Sequence, residues 1–291
     1  MVTTLRNLYL DARRKLLAKE DRDTSEFYAQ ELVSHVTGKK KDQLLYQPEM
    51  YVGDDICQRV EAGVARLLND EPLAYVLGEW DFYGMTLKVT PDVLIPRDDT
   101  CAVATLAIQK ALFLSKDPRI LDLCTGSGCI GLAVAKNVPD ARVTLADISR
   151  EALAVAKENI TLQKLSARVT CTSADALNVP APFLGKFDII VSNPPYITSE
   201  EMRELPKSVD AFEPHLALHG GEDGLIFYRN IAKNYRKALK KGGILCFEFG
   251  QGQGNAVAEI LRENGFAVCK RTEDFNQRER AICARYERED V

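Results

Sequence analysis

The sequence predicts an α/β protein: a mostly parallel, seven-stranded sheet with helices on both faces, preceded by a small helical domain and joined to it by a β-hairpin. Three observations carry that expectation. From residue 119 onward, strand-like apolar runs alternate with helical patterns. The first of those runs ends in a glycine-rich turn that opens a helix. The opening 75 residues show helical periodicity alone.

Taken in order, Leu5, Leu8, Leu10, Ala12, Leu16 and Leu17 recur at near-helical spacing. Asp23 and Glu26 read as a capping box for a helix over 27–36, which Gly38 stops. Ile56, Val60, Val64, Leu67 and Leu68 form one apolar face over 54–68, and Glu71-Pro72 ends it. Residues 1–75 are therefore expected to form a helical domain that recognises a partner, and residues 76–291 a second domain that carries the chemistry. Lys39-Lys40-Lys41, followed at once by Asp42, reads as a solvated turn. Phe82-Tyr83-Gly84 and Thr86–Val89 predict the hairpin, with its turn near Gly84-Met85. Strands are expected over 119–124, 142–146, 168–172, 187–192 and 243–249, with helices over 129–137, 150–162, 224–239 and 255–263. Two further strands, 266–271 and 281–286, close the chain.

Composition excludes several classes. With 46% hydrophobic and 27% charged residues, the chain is neither disordered nor a coiled-coil rod. Its balance of 38 basic against 42 acidic side chains, a net charge of −4, gives no global field for nucleic acid. No apolar run approaches the roughly eighteen residues of a membrane span. Arg6 and Asn7 stand where a secretion signal needs an apolar core, so a cytoplasmic location is expected. The eight cysteines form no C-x-x-C pair and only three histidines are present, so no metal site is expected. The cysteines, including Cys246 and Cys269 within apolar runs, read as small buried hydrophobes. His35, His215 and His219 read as structural.

Three stretches carry chemistry. The first is Asp122-Leu123-Cys124-Thr125-Gly126-Ser127-Gly128-Cys129-Ile130-Gly131, a strand running through a glycine loop into a helix. In an open parallel sheet that loop lies where nucleotides bind, and its glycines let a ligand approach the backbone. The G-x-G-x-x-G spelling is shared by enzymes using NAD and enzymes using S-adenosylmethionine (SAM), so both remain open at this point. The second is Ala146-Asp147-Ile148, where a carboxylate at a strand end suits the hydroxyls of a ribose. Capping the next helix is the alternative task for Asp147, although Ser149 can do it. The third is Asn193-Pro194-Pro195-Tyr196, directly after an apolar strand. The Asn193 side-chain oxygen and the Pro194 carbonyl are two acceptors suited to a planar NH2 group, and Tyr196 offers a flat face for stacking. That loop has no role in hydride transfer and so favours SAM over NAD.

Together these residues resemble the class I SAM-dependent methyltransferases, with their Rossmann-like fold. Along nearly the whole chain they resemble the release-factor glutamine methyltransferase family. Val93-Leu94-Ile95-Pro96-Arg97, Phe212-Glu213-Pro214, Leu216-Ala217-Leu218 and Gly220-Gly221-Glu222-Asp223-Gly224 support the narrower resemblance. It implies methylation of the glutamine amide in a Gly-Gly-Gln loop of peptide-chain release factors. It also implies SAM held by Cys124, Thr125, Gly126, Ser127, Gly128, Asp147, Ile148, Asp175, Ala176 and Asn193, and catalysis by Asn193, Pro194, Pro195 and Tyr196. Membrane and nucleic acid are not expected as partners. The chain departs from the family at Cys101, where an acid is usual, and at Asp175-Ala176, where an aromatic residue often flanks adenine. Gly250-Gln251-Gly252 also differs and has no assigned role. An adenine amino-methyltransferase of RNA or DNA is the alternative enzyme, since adenine also presents a planar NH2. A module that merely binds SAM or a nucleotide is the alternative outside enzymes.

Overall fold

The computed structural model describes residues 3–40, 43, 48–114 and 116–287. Lys41 and Asp42 of the basic run lie outside the described residues. The chain forms two compact units, one of Met1–Gly78 with Lys207–Phe212, the other of Glu79–Pro206 with Glu213–Val291.

The first unit is built from α1 (Leu5–Leu16), α2 (Arg22–Thr37), α3 (Asp54–Leu68) and α4 (Leu73–Leu77). The first three pack on one another and bury one face each: Leu5, Leu8 and Leu16 on α1, Leu32, Val33 and Val36 on α2, and Val60 and Val64 on α3. Close packing leaves no room at Gly63, where a Cβ would stand 2.6 Å from Leu32 Cδ1. The expected capping box at Asp23 and Glu26 is corrected: Asp21 is the N-cap, and its carboxylate accepts from the Thr24 N–H at 2.8 Å. Asp23 instead lies in the first turn, where its charge still suits the helix dipole. Gly38 ends α2 in the left-handed conformation, as expected.

The second unit opens with a hairpin of β1 (Glu79–Phe82) and β2 (Met85–Lys88). Its turn is Tyr83-Gly84, one residue earlier than expected, with φ of 50° and 71°. Two left-handed residues give the turn the twist that suits a hairpin. The helix α5 (Cys101–Leu112) follows, where the sequence pattern predicts none. Its apolar residues lie almost all round, so no periodic stripe marks it. The strands and helices then alternate: β3 (Arg119–Leu123), α6 (Cys129–Asn137), β4 (Arg142–Asp147), α7 (Arg150–Leu162), β5 (Val169–Ser173) and β6 (Phe187–Ser192). After a long loop come α8 (Ile226–Asn230), β7 (Leu239–Glu248), α9 (Gly254–Glu263), β8 (Phe266–Glu273) and β9 (Glu279–Tyr286).

The single helix expected over 224–239 is corrected. Only α8 is α-helical; it continues as a widened π turn over Ile231–Tyr235 and a 3-10 turn over Arg236–Ala238. Buried Tyr228 and Tyr235 each need an acceptor for the hydroxyl. Tyr228 donates to the Glu248 carbonyl at 3.0 Å and Tyr235 to the Asp175 carbonyl at 2.9 Å, and the helix widens between them.

The sheet runs β8-β9-β7-β6-β3-β4-β5. β9 runs antiparallel to its neighbours β8 and β7, and the other pairings in this sheet are parallel. Successive residues feed opposite cores: Ile189, Val191, Ile244 and Cys246 on one face, Ile190, Leu245 and Phe247 on the other. Such double burial is what a parallel sheet requires. Chain order reverses between β3 and β6, so a crevice opens beyond their carboxyl ends. Cys129, Cys246 and Cys283 are buried as expected, whereas Cys269 is exposed on the edge strand β8.

Candidate active site

Asp122 organises the loop after β3. It is fully buried, and its Oδ2 accepts from the Thr125 hydroxyl at 2.6 Å and from the Gly131 N–H at 2.8 Å. A Cβ at Gly131 would stand 2.9 Å from that same oxygen, so glycine is what lets α6 close on Asp122. Oδ1 has no partner among the described residues, and burial pushes the carboxyl up to about 7. The chain leaves the strand through Cys124 at φ 60°, a strained backbone for a residue with a side chain. Asp147, ending β4, accepts from the Gly126 N–H at 2.9 Å and the Ser149 N–H at 3.0 Å. Burial, offset by those N–H donors, raises its pKa above the ordinary value. Ser149 takes the capping task by accepting from Ala152 N–H at 3.0 Å.

The loop after β6 is held from elsewhere. Ser192 donates to the Leu123 carbonyl at 2.6 Å, tying the ends of β6 and β3 together. Asn193 Nδ2 donates to Thr100 Oγ1 at 3.4 Å. Glu248 ends β7 beside them, buried, with the Thr100 hydroxyl and the Asn193 amide next to its carboxylate. Burial drives its carboxyl up to about 7 against those two donors and the opposing charge of Arg280. The Tyr196 carbonyl accepts from Gln253 Nε2 at 3.0 Å, and Gln253 Oε1 accepts from Gly250 N–H at 2.9 Å. The Gly220 N–H donates to the Ile197 carbonyl at 2.8 Å, which presses the Gly-Gly-Glu-Asp-Gly stretch against the loop. Gly220 and Gly224 lie so near this loop that a Cβ on Gly220 would stand 2.6 Å from Tyr196 Cα, and one on Gly224 would collide with the Tyr196 carbonyl. The Ile-Pro-Arg and Phe-Glu-Pro stretches also meet, because Arg97 forms an ion pair with the buried Glu213.

Both loops border one cavity of about 190 Å³, open to solvent. Cys124, Thr125, Gly126, Ser127, Asp147, Ile148, Asp175, Ala176, Asn193 and Pro195 all line it. Gly128, Pro194 and Tyr196 do not. Gly128 is the N-cap of α6, Pro194 is buried, and Tyr196 is half-buried against the core on the α8 side. Ser127 lines the cavity, and its buried Oγ has no partner among the described residues. An orphaned hydroxyl beside a carboxylate and a glycine loop fits a ribose-bearing ligand. Phe227 is the aromatic ring in the wall, where the sequence offers only Asp175-Ala176. The sequence pattern assigns no role to Thr100, Glu248 or Gln253, and none to Asp122 beyond its place in the glycine-loop stretch. Only Asp122 carries a local signal, standing at a strand end before a glycine loop.

Residues 99–241 match the methyltransferase small domain, and residues 9–78 match the PrmC N-terminal domain. A solved methyltransferase from Pyrococcus furiosus shares the fold, with a TM-score of 0.52 at 18% identity over 77% of this chain and 98% of that one. Fold and site define a class I methyltransferase. Over 269 residues the chain is 36% identical to the release factor glutamine methyltransferase of Clostridium acetobutylicum, covering 91% of this chain and 93% of the relative. Over 207 residues it is 44% identical to that of Streptococcus pneumoniae, covering 71% and 72%. The chain belongs to the release factor glutamine methyltransferase family.

Proposed function

We propose that the chain methylates the side-chain amide nitrogen of the glutamine in the Gly-Gly-Gln loop of peptide-chain release factors, with SAM as donor, in the cytoplasm. The observation that carries this reading is the cavity bordered jointly by the glycine loop, Asp147 and Asn193. Asp147 and the Ser127 hydroxyl would hold the ribose, and Ile148, Asp175 and Ala176 would flank the base. When bound, SAM supplies a methyl group activated on a sulfonium. An amide nitrogen is a poor nucleophile because its lone pair is delocalised into the carbonyl. Asn193 Oδ1 and the Pro194 carbonyl accept from the substrate NH2 and favour the nitrogen-centred lone pair of the transition state. Holding that nitrogen in line with the methyl contributes several kcal/mol more, on the order of what orientation gives in other enzymes. Pro195 shapes the wall, and Tyr196 braces the loop through its carbonyl. In this reading the helical unit recognises the release factor, since every residue lining the cavity lies outside it.

Mass spectrometry of a release factor incubated with SAM tests the reading. One added methyl is expected on the glutamine of the Gly-Gly-Gln loop, and none in a Gln→Glu substrate. Methyl incorporation into RNA or DNA, with none into the release factor, would transfer the argument to an adenine methyltransferase.

A further inference from the structure

Asn193 can serve as an acceptor only if its amide is turned the right way. Its two ends are nearly equal in shape, so the neighbours must choose. Thr100 cannot choose by itself, because a hydroxyl both donates and accepts. Glu248 can. It is 1% exposed, its carboxylate lies next to the Thr100 hydroxyl and the Asn193 amide where the pairing of Ser192 with Phe247 sets the two strand ends side by side, and it does not line the cavity. An ionised carboxylate accepts only. Thr100 must then donate to Glu248, and its oxygen is free to accept from Asn193 Nδ2 at 3.4 Å.

We propose that Glu248 is a positioning residue for methyl transfer. Its carboxylate ends the hydrogen-bond chain through Thr100 and holds the Asn193 amide with its NH2 turned inward and its oxygen turned toward the substrate. This rests on the reading of Asn193 as an acceptor for the substrate amide. The remaining supports agree with it. Tyr228 and β9 hold the strand end: the Tyr228 hydroxyl donates to the Glu248 carbonyl at 3.0 Å, and β9 pairs with β7 through Ala281↔Glu248.

Protonation would undo the device. A protonated Glu248 is a donor, and it can turn Thr100 or the Asn193 oxygen inward. The groups facing it are Asp99, Cys101, Cys129, Tyr196, Tyr228 and Arg280. The two charged ones, Arg280 and Asp99, are paired with each other at 3.0 Å. Methyl transfer therefore belongs to the ionised form, present above about 7 and lost as pH falls below it.

The test compares the intact enzyme with Glu248→Gln, Glu248→Asp and Asn193→Ala, by calorimetry with SAM and by kcat and KM on a release factor from about pH 6 to about pH 9. Glu248→Gln should keep SAM affinity and KM within about threefold and lose kcat by about a hundredfold. Its kcat should no longer fall below neutral pH, whereas the wild-type value should. Glu248→Asp, still an acceptor, should recover part of the rate. A Gln variant with wild-type kcat and an intact acid limb overturns the proposal. If that variant does not fold, a wild-type kcat that stays flat below neutral pH overturns it instead. Asn193→Ala separates the two readings. If it is fully active, the acceptor reading of Asn193 fails. If it is inactive while Glu248→Gln is fully active, only the role of Glu248 fails.

Discussion

The two loops that face each other across the reversal of strand order are held in opposite ways. The loop after β3 is held chiefly by near neighbours: Asp122 binds residues three and nine positions away, and Asp147 and Asn159 add hydrogen bonds from 21 and 32 positions away. The loop after β6 is held by distant parts of the chain, with Thr100 93 positions away, Gln253 57 away and Leu123 69 away from the atoms they hold. A loop held by near neighbours is damaged mostly by changes close to it. A loop held by many segments can be displaced by a substitution far along the chain. The donor side of the cavity is therefore less exposed to remote changes than the acceptor side.

The largest effect expected from this contrast is at Gly224. Its φ is +72°, and a Cβ there would collide with the Tyr196 carbonyl and stand 2.5 Å from Gln253 Nε2. Gly224→Ala must shift the loop that carries Asn193, and overpacking of this kind typically costs about 1–3 kcal/mol. A displacement of about 1 Å can reduce methyl transfer about a hundredfold. SAM affinity, which depends on the other loop, should stay within about threefold. Calorimetry and methylation rates on the same preparation decide it. Equal losses of donor binding and rate would break the contrast between the loops.

How much of this is legible in the sequence follows from the same contrast. The glycine loop, Asp147 and Asn193–Tyr196 are each contiguous or stand at strand ends, so their chemistry can be read from local order. The Gly220–Gly224 stretch is visible only as a resemblance. Its physical reason, backbone pressed against Pro195 and Tyr196, exists only in the folded chain. Thr100, Glu248 and Gln253 have no local signal, because ordinary polar residues become supports only when the topology brings them together. The helix α5 is hidden for another reason: Val103, Ala104, Leu106, Ala107, Ile108 and Ala111 are all buried, and burial on several sides erases the stripe that marks an amphipathic helix.

A smaller effect is expected on the donor side. Asp147→Ala removes the acceptor for Gly126 N–H and Ser149 N–H together with the proposed partner of the ribose. Loss of a charged acceptor costs about 1.5–3 kcal/mol. SAM affinity should therefore fall about ten- to a hundredfold, with kcat at saturating donor close to wild type. That pattern is the reverse of the one expected for Gly224→Ala. Unchanged affinity in a folded variant would remove Asp147 from the donor site.

The smallest expected effect is a change in slope. Asp122 is buried with one oxygen unpartnered among the described residues, and its carboxyl rises from 3.8 to about 7 in the folded chain. A carboxyl raised in this way binds its proton more tightly when folded than when unfolded. The stabilisation is complete below 3.8 and is lost as pH rises through about 7. Asp122→Asn keeps the shape and one acceptor but cannot ionise, so its stability should decline less over that window. Glu248 lies in the same window, with a folded value of about 7, so the wild-type slope should shrink without vanishing. Urea unfolding at about pH 5 and about pH 8 measures the change. Because the Asn oxygen can still accept from Gly131 N–H, SAM affinity should stay within about threefold at both values. An identical slope in the variant would mean that Asp122 does not exchange its proton on unfolding, and that the loop after β3 is held by an ionised carboxylate throughout.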